Sequence, residues 1–140
     1  MARIIENEVY LNDCGKVVES AWLQTAILRP FATLDFYVIM PNHFHGILFL
    51  HDQERATQRV APTPVKPSSG PKSKSIGAIV GQFKSQVTKR IQSMKIKLRE
   101  PLWQRNYYEH VIRDEDDLNR IREYIEYNPA RWLEDEYYSP

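Results

Sequence analysis

Two apolar runs, Leu34 to Met40 (LDFYVIM) and His43 to Leu50 (HFHGILFL), flank a Pro41-Asn42 pair, and this arrangement constrains the fold more than any other stretch of the chain. Both runs are rich in aromatic and β-branched residues, and Pro-Asn is a turn signal, so they read as two short strands of a hairpin. Side chains alternate along a strand. His43 and His45 therefore point the same way, and Phe44 points into the opposite layer. Packing gives no reason for a polar pair at the start of an otherwise apolar strand. Two imidazoles two residues apart can chelate one ion, with a third group supplied from elsewhere. A bare HxH is equally consistent with two surface histidines beside a turn.

Around this hairpin the period changes to that of helices. Asn12, Asp13 and Gly15 signal a turn, and Val17, Val18, Ala21 and Trp22 then recur at helical spacing, which predicts a helix ending near Leu28, before Pro30. From Ser75 to about Met94, Ile76, Ile79, Val80, Phe83, Val87 and Ile91 share one face of an amphipathic helix. Trp103 to Ile112 reads as a strand. Asp114 to Asp117 place negative charge at the start of a last helix, which runs to about Tyr127 because Pro129 disfavours helical geometry at Asn128. Ile4 to Leu11 is a possible weak strand, and the tail RWLEDEYYSP is too short to interpret. The class is α+β, with helices expected over one side of a small, largely antiparallel sheet.

A chain of 140 residues with 42% hydrophobic content suits one domain spanning 1–140. Gln53 to Ser73 holds four prolines and little apolar material, which predicts a flexible loop at about 52–74. No run approaches the ~18 apolar residues of a membrane span, and no basic-then-apolar leader opens the chain. A soluble, cytoplasmic protein is expected. Cys14, the single cysteine, cannot form an internal disulfide and reads as incidental.

Net charge is only +1, but its distribution is uneven. From Arg55 to Arg99 there are 11 Lys or Arg and no acid, whereas 7 acids face 3 bases before this stretch and 11 face 5 after it. A segregated basic stretch suits a polyanion, since phosphate contacts release counterions. A solvated linker and a helix with a basic face would look the same. Lys84, Lys89, Arg90 and Lys95 lie mostly away from the apolar face of their helix. Trp103, Arg105, Tyr107 and Tyr108 form an aromatic and basic cluster of a kind that can stack on unpaired bases, although such residues more often complete a core.

Tyr124 and Asn128 are four apart near the end of the last helix, one above the other on one face. A phenol is a plausible nucleophile toward a phosphodiester if a divalent cation polarises the phosphoryl oxygen. The Asn128 side-chain oxygen could be a third ligand. Alone this pair says little, because the chain has eight tyrosines and Tyr at a helix-sheet interface is commonly an amphipathic core residue.

Taken together, MPNHFHGILFL, SIGAIVGQFKSQVTKRI, LWQRNYYEHVIRDEDDLNRI and REYIEYNPARW resemble the REP-associated tyrosine transposases, in the single-tyrosine branch of the HUH nucleases. The resemblance covers most of the chain. It implies a ferredoxin-like two-layer sandwich, with an antiparallel sheet covered by helices. It implies that His43 and His45 are the HUH pair, Tyr124 rather than Tyr127 the nucleophile, and Asn128 the third ligand of Mg²⁺ or Mn²⁺. Single-stranded DNA folded into a hairpin would be bound and cleaved, leaving a 5′-phosphotyrosyl link and a free 3′-hydroxyl for rejoining in DNA transposition or recombination. Lys84, Lys89, Arg90, Lys95 and Arg105 are the expected DNA contacts. Insertion-sequence relatives work as dimers with shared sites and REP-associated members look more like monomers, so monomer and homodimer both stand. Members of the family usually begin with a further strand ahead of the segment that here reads NEVYLNDCGKVVESAW. The expected fold is therefore N-terminally shortened, unless Arg3 to Leu11 takes that strand's place.

Two other functions compete with a DNA nicking and joining enzyme. One is a catalytically inactive hairpin or single-stranded DNA-binding remnant, holding DNA through salt-sensitive contacts. The other is a small metal-dependent hydrolase using the HxH pair and water.

Overall fold

The structure is a computed structural model that describes residues 1–51, 74–98, 101–103, 107–135 and 138. The expected loop at about 52–74, except Lys74, and Arg105 lie outside the described residues. In chain order the elements are β1 (Ala2–Ile5), β2 (Glu8–Leu11), α1 (Asp13–Ile27), β3 (Ala32–Ile39), β4 (Phe44–Leu50), α2 (Ile76–Ser93), α3 (Glu115–Tyr127) and a 3-10 segment, Pro129–Glu134. The class is α+β and the strand pairing is antiparallel throughout.

Each helix starts where a side chain replaces a missing backbone acceptor. Asn12, Ser75 and Asp114 accept from the amides of Gly15, Ala78 and Asp117 at 3.0, 3.2 and 2.8 Å. Such caps are worth ~1 kcal/mol each. The acids Glu115, Asp116 and Asp117 add favourable charge at the positive end of α3.

β4 is packed on both faces. Phe44 and Leu48 join a core built on Val18, Ala21 and Trp22 of α1 and Phe83, Val87 and Ile91 of α2. Ile47 and Phe49, of opposite parity, meet Leu118, Ile121 and Ile125 of α3. The helical layer expected on one side of the sheet is thus α1 with α2, and α3 lies against the other side. Phe44 approaches Trp22 and Phe83 at ring-centroid distances of 4.9 and 5.6 Å, within the range at which aromatic pairs stabilise beyond their buried area.

The pairing of β3 with β4 slips by one residue between Leu34 and Tyr37, leaving Asp35 and Phe36 as an extra step on β3. This bulge holds α3. The Arg122 guanidinium donates to Asp35 Oδ2 from Nε at 2.8 Å, with a second nitrogen at 2.8 Å, and its carbon lies 5.8 Å from the Phe36 ring centroid. α1 and α2 are tied together on the other side through Arg29 to Gln82 and Arg90 to Gln24.

Three expectations change. The weak strand at Ile4 to Leu11 is a hairpin, β1 with β2, folded at Glu6 and Asn7, whose φ values of 51° and 67° are both left-handed. It pairs with itself, and the described strands form two separate two-stranded sheets, so Arg3 to Leu11 does not enter the β3–β4 sheet. The strand expected from Trp103 to Ile112 is absent from Tyr107 onward, where the backbone is irregular. Tyr108 is 89% and Val111 73% exposed; β propensity expresses fit to a half-buried pleated surface, and these residues have none to fit. Asn128 keeps helical dihedrals (φ −57°, ψ −41°) despite Pro129, so the chain runs from α3 straight into the 3-10 segment. No described helix is long and apolar enough to cross a membrane.

Gly46 leaves room where Trp22 crosses β4: a Cβ there would lie 2.7 Å from Trp22 Cζ2 and 3.0 Å from the Phe44 ring. Gly46→Ala is therefore expected to lower stability by ~1–3 kcal/mol through overpacking. Gly81 lies in the middle of α2, where a Cβ meets nothing within 4 Å. Gly81→Ala is expected to raise stability by ~0.5–1 kcal/mol. Urea unfolding of the two variants tests both signs at once.

Candidate functional site

The turn at Pro41-Asn42 fixes where the histidines begin. Met40 N–H donates to His43 O at 2.9 Å, and the Met1 amine donates to Pro41 O at 2.7 Å. Because Phe44 is committed to the α1–α2 core, the residues on either side of it must face the layer of α3. There the His43 and His45 rings lie 4.8 Å apart, nearly perpendicular at 74°. The Tyr124 ring of α3 stands edge-on to His45 at 5.4 Å and 80°. Tyr124 is 53% exposed, so its ring touches His45 while one side stays open to solvent.

Asn128 follows Tyr124 by one helical turn and is only 4% exposed. The 3-10 segment after it carries Trp132 back to within 5.9 Å of the His43 ring. Asn128 is thus bracketed by two residues that contact the histidines. Directly after the segment, Asp135, with its side chain 7% exposed, places Oδ2 3.8 Å from His43 Nε2. Trp132 and Asp135 were missed by the sequence reading. No local signal marks them, since apolar and charged residues in ARWLED follow no period.

The protonation of His45 follows from its surroundings. His43 Nδ1 is 2.9 Å from Asn42 Oδ1, a contact that holds the orientation of the His43 ring. Burial, and after it the neighbouring His43, push the His45 imidazole down to about 4, against a smaller upward pull from Asp135. His45 is therefore neutral near pH 7 and able to act as a ligand. Its Nε2 and Asn128 Oδ1 are buried with no hydrogen-bond partner. Leaving such a group unpaired costs ~1–3 kcal/mol, and a bound cation would relieve both. Among the described residues no three His, Cys, Asp or Glu side chains by themselves form a metal cage. An ion here would need the Asn128 amide oxygen as a donor, and two imidazoles with an amide oxygen fit a divalent cation that keeps positions for phosphate oxygens.

The basic residues are placed differently. α2 packs on the Phe44 side of β4, the layer opposite His45. Lys89 and Lys95 are exposed there. Arg90 is committed to α1, donating to Ser20 Oγ at 3.3 Å and to Gln24 Oε1. The Lys84 ammonium lies 5.7 Å from the Trp103 ring and 6.0 Å from the Tyr107 ring, and burial lowers its pKa. Trp103 also donates from Nε1 to Lys84 O at 3.2 Å, so it is part of the packing here.

No protein-family model matches the chain, and no solved structure matches it. Curated relatives include two proteins of Haemophilus influenzae. One, named "Uncharacterized protein", is 39% identical over 140 residues, covering 96% of this chain and 75% of its own length. The other, named "Putative REP-associated tyrosine transposase", is 31% identical over 128 residues, covering 87% of this chain and 62% of its own length. The chain thus spans three quarters of the first relative and less than two thirds of the second.

The depressed basicity of His45 has a pH signature. An unfolded histidine takes up a proton near 6.5, whereas the folded chain keeps this ring neutral down to about 4. The unfolded state therefore binds the proton first, and stability falls as pH drops through that window, with no further loss from this group below it. NMR titration of the His45 ring in metal-free protein is expected to give a midpoint near 4; a midpoint near 6.5 would contradict the burial argument.

Proposed function

We propose that this chain is a single-tyrosine DNA transposase of the REP-associated kind, cutting and rejoining single-stranded or hairpin DNA in the cytoplasm through Tyr124. The observation that carries this reading is the contact of the Tyr124 ring with His45, beside the buried, unsatisfied His45 Nε2 and Asn128 Oδ1. The 31% identical relative named as a transposase supports it.

In this reading His43, His45 and Asn128 hold Mg²⁺ or Mn²⁺, which when bound supplies Lewis-acid polarisation of a phosphoryl oxygen. The residues of the chain do the rest. α3 presents the Tyr124 phenol on its open side, and the Arg122–Asp35 pair fixes the helix on the β3 bulge. The phenol oxygen attacks phosphorus and loses its proton. The bond from phosphorus to the 3′-oxygen breaks, and that oxygen leaves as a 3′-hydroxyl after taking up a proton. The DNA 5′-phosphate is then linked to Tyr124 as a phosphodiester. One phosphodiester replaces another, so rejoining needs no outside energy. Neutral His45 suits this step, because a protonated ring could not serve as a ligand at the same site.

DNA would lie across the exposed side of Tyr124. Lys84 and the Tyr107 ring lie on the opposite layer with α2, so they would meet only DNA that extends beyond the Tyr124 side. Lys89 and Lys95 would contact phosphate from farther away, and Arg105 remains a candidate contact. Arg90 is the weakest of the expected contacts, since its guanidinium is engaged by α1.

Incubation with end-labelled hairpin-bearing single-stranded DNA and Mn²⁺, followed by denaturing electrophoresis, tests the reading. The intact protein is expected to form a covalent adduct, and Tyr124→Phe is expected to form none while still binding DNA. His45→Ala is expected to lower adduct formation at least ~100-fold, the scale of losing an electrostatic contribution to the transition state. An adduct that persists in Tyr124→Phe would overturn the nucleophile. Salt-sensitive binding by the intact protein without cleavage would overturn the enzyme, and turnover of a phosphoester by Tyr124→Phe would point to water as the nucleophile.

A further inference from the structure

We infer that Asp135 is a fourth protein donor to the proposed metal site, and the one that supplies negative charge. The inference rests on the metal reading above and goes beyond it, because two imidazoles and an amide are all neutral. Hard divalent cations favour oxygen donors and are usually held by one or two carboxylates. Across the site from β4, the 3-10 segment delivers a carboxylate whose side chain is 7% exposed.

Asp135 Oδ2 lies 3.8 Å from His43 Nε2, too far for a hydrogen bond between them. Two donors each ~2.1 Å from one ion, at angles between octahedral and tetrahedral, stand roughly 3.0–3.4 Å apart. His43, His45 and Asp135 do not form a ready-made cage as they stand, and the carboxylate would have to close by roughly 0.4–0.8 Å on His43 to share an ion with it. Asn128, 4% exposed with an unsatisfied Oδ1, is an independent sign that a cation belongs in this pocket. The segment that brings Asp135 in is itself anchored at the site by Trp132, 9% exposed and tilted at 43° against the His43 ring.

A carboxylate here would also bear on metal choice. With it the site favours Mn²⁺ and Mg²⁺; without it the remaining imidazoles favour softer ions such as Co²⁺. Asp135 would be a metal ligand delivered by a segment that follows the nucleophile's helix, so ordering of that segment and loading of the metal would be linked.

Mn²⁺ binding to the whole, metal-free protein, read by loss of the free-ion electron paramagnetic resonance signal, tests this without any measurement of activity. Asp135→Asn is expected to weaken Mn²⁺ at least tenfold and to weaken Co²⁺ several-fold less. Asp135→Glu, which keeps the charge on a longer arm, is expected to bind Mn²⁺ more tightly than Asp135→Asn. His45→Ala serves as the control for the site itself. If His45→Ala loses Mn²⁺ and Asp135→Asn binds within twofold of the unaltered chain, the role of Asp135 is overturned while the metal reading stands. If the unaltered chain binds no Mn²⁺, the metal reading is overturned and Asp135 with it. Equal losses of Mn²⁺ and Co²⁺ in Asp135→Asn would overturn the charge argument.

Discussion

The seating of Phe44 between Trp22 and Phe83 fixes the orientation of β4, and with it the direction of the histidines on either side of Phe44. A strand has only two faces. Once one is filled by the α1–α2 core, His43 and His45 have no direction left but toward α3, and a slip of one residue would exchange the two sets. Gly46 belongs to the same constraint, since it lets the Trp22 ring approach the strand closely enough to close that core.

On the other face, the β3 bulge makes α3 a partner of β4. Asp35 and Phe36, freed from strict pairing, hold Arg122, and the turn of helix that follows presents Tyr124 to His45. The chain then folds back through Trp132 and Asp135 onto His43. Residues separated by up to 92 positions in sequence, His43 and Asp135, are thus brought to one place by three local devices: a two-faced strand, a bulge and a short return segment.

Part of this was legible in the sequence because it depends on local periodicity. The common direction of His43 and His45 follows from the two-residue repeat, and the stacking of Tyr124 over Asn128 follows from the helical one. Asn12, Ser75 and Asp114 announced their helices by chemistry. Other features depend on partners that no local pattern reveals. Glu6 and Asn7 carry no glycine to signal a left-handed turn, so a hairpin read as one weak strand. Tyr107 to Ile112 has the composition of a strand but, among the described residues, no strand pairs with it. Arg90 looked like a solvent-facing cation, yet α1 offers it Ser20 and Gln24. Asp135 was one acid among many until the return of the chain buried it beside His43.

The chemistry argued for this site requires one cation to be shared by side chains from β4 and from the end of α3. Paramagnetic broadening by substoichiometric Mn²⁺ in the NMR spectra of isotope-labelled protein tests that requirement most directly. The account expects the ring protons of His43 and His45 and the side-chain amide protons of Asn128 to broaden first, those of Tyr124 next, and signals of Lys89 and Lys95 last. The competing place for a cation is the pair of exposed carboxylates Asp114 and Asp116 at the start of α3. Broadening centred there, with the histidine rings unaffected, would contradict the account.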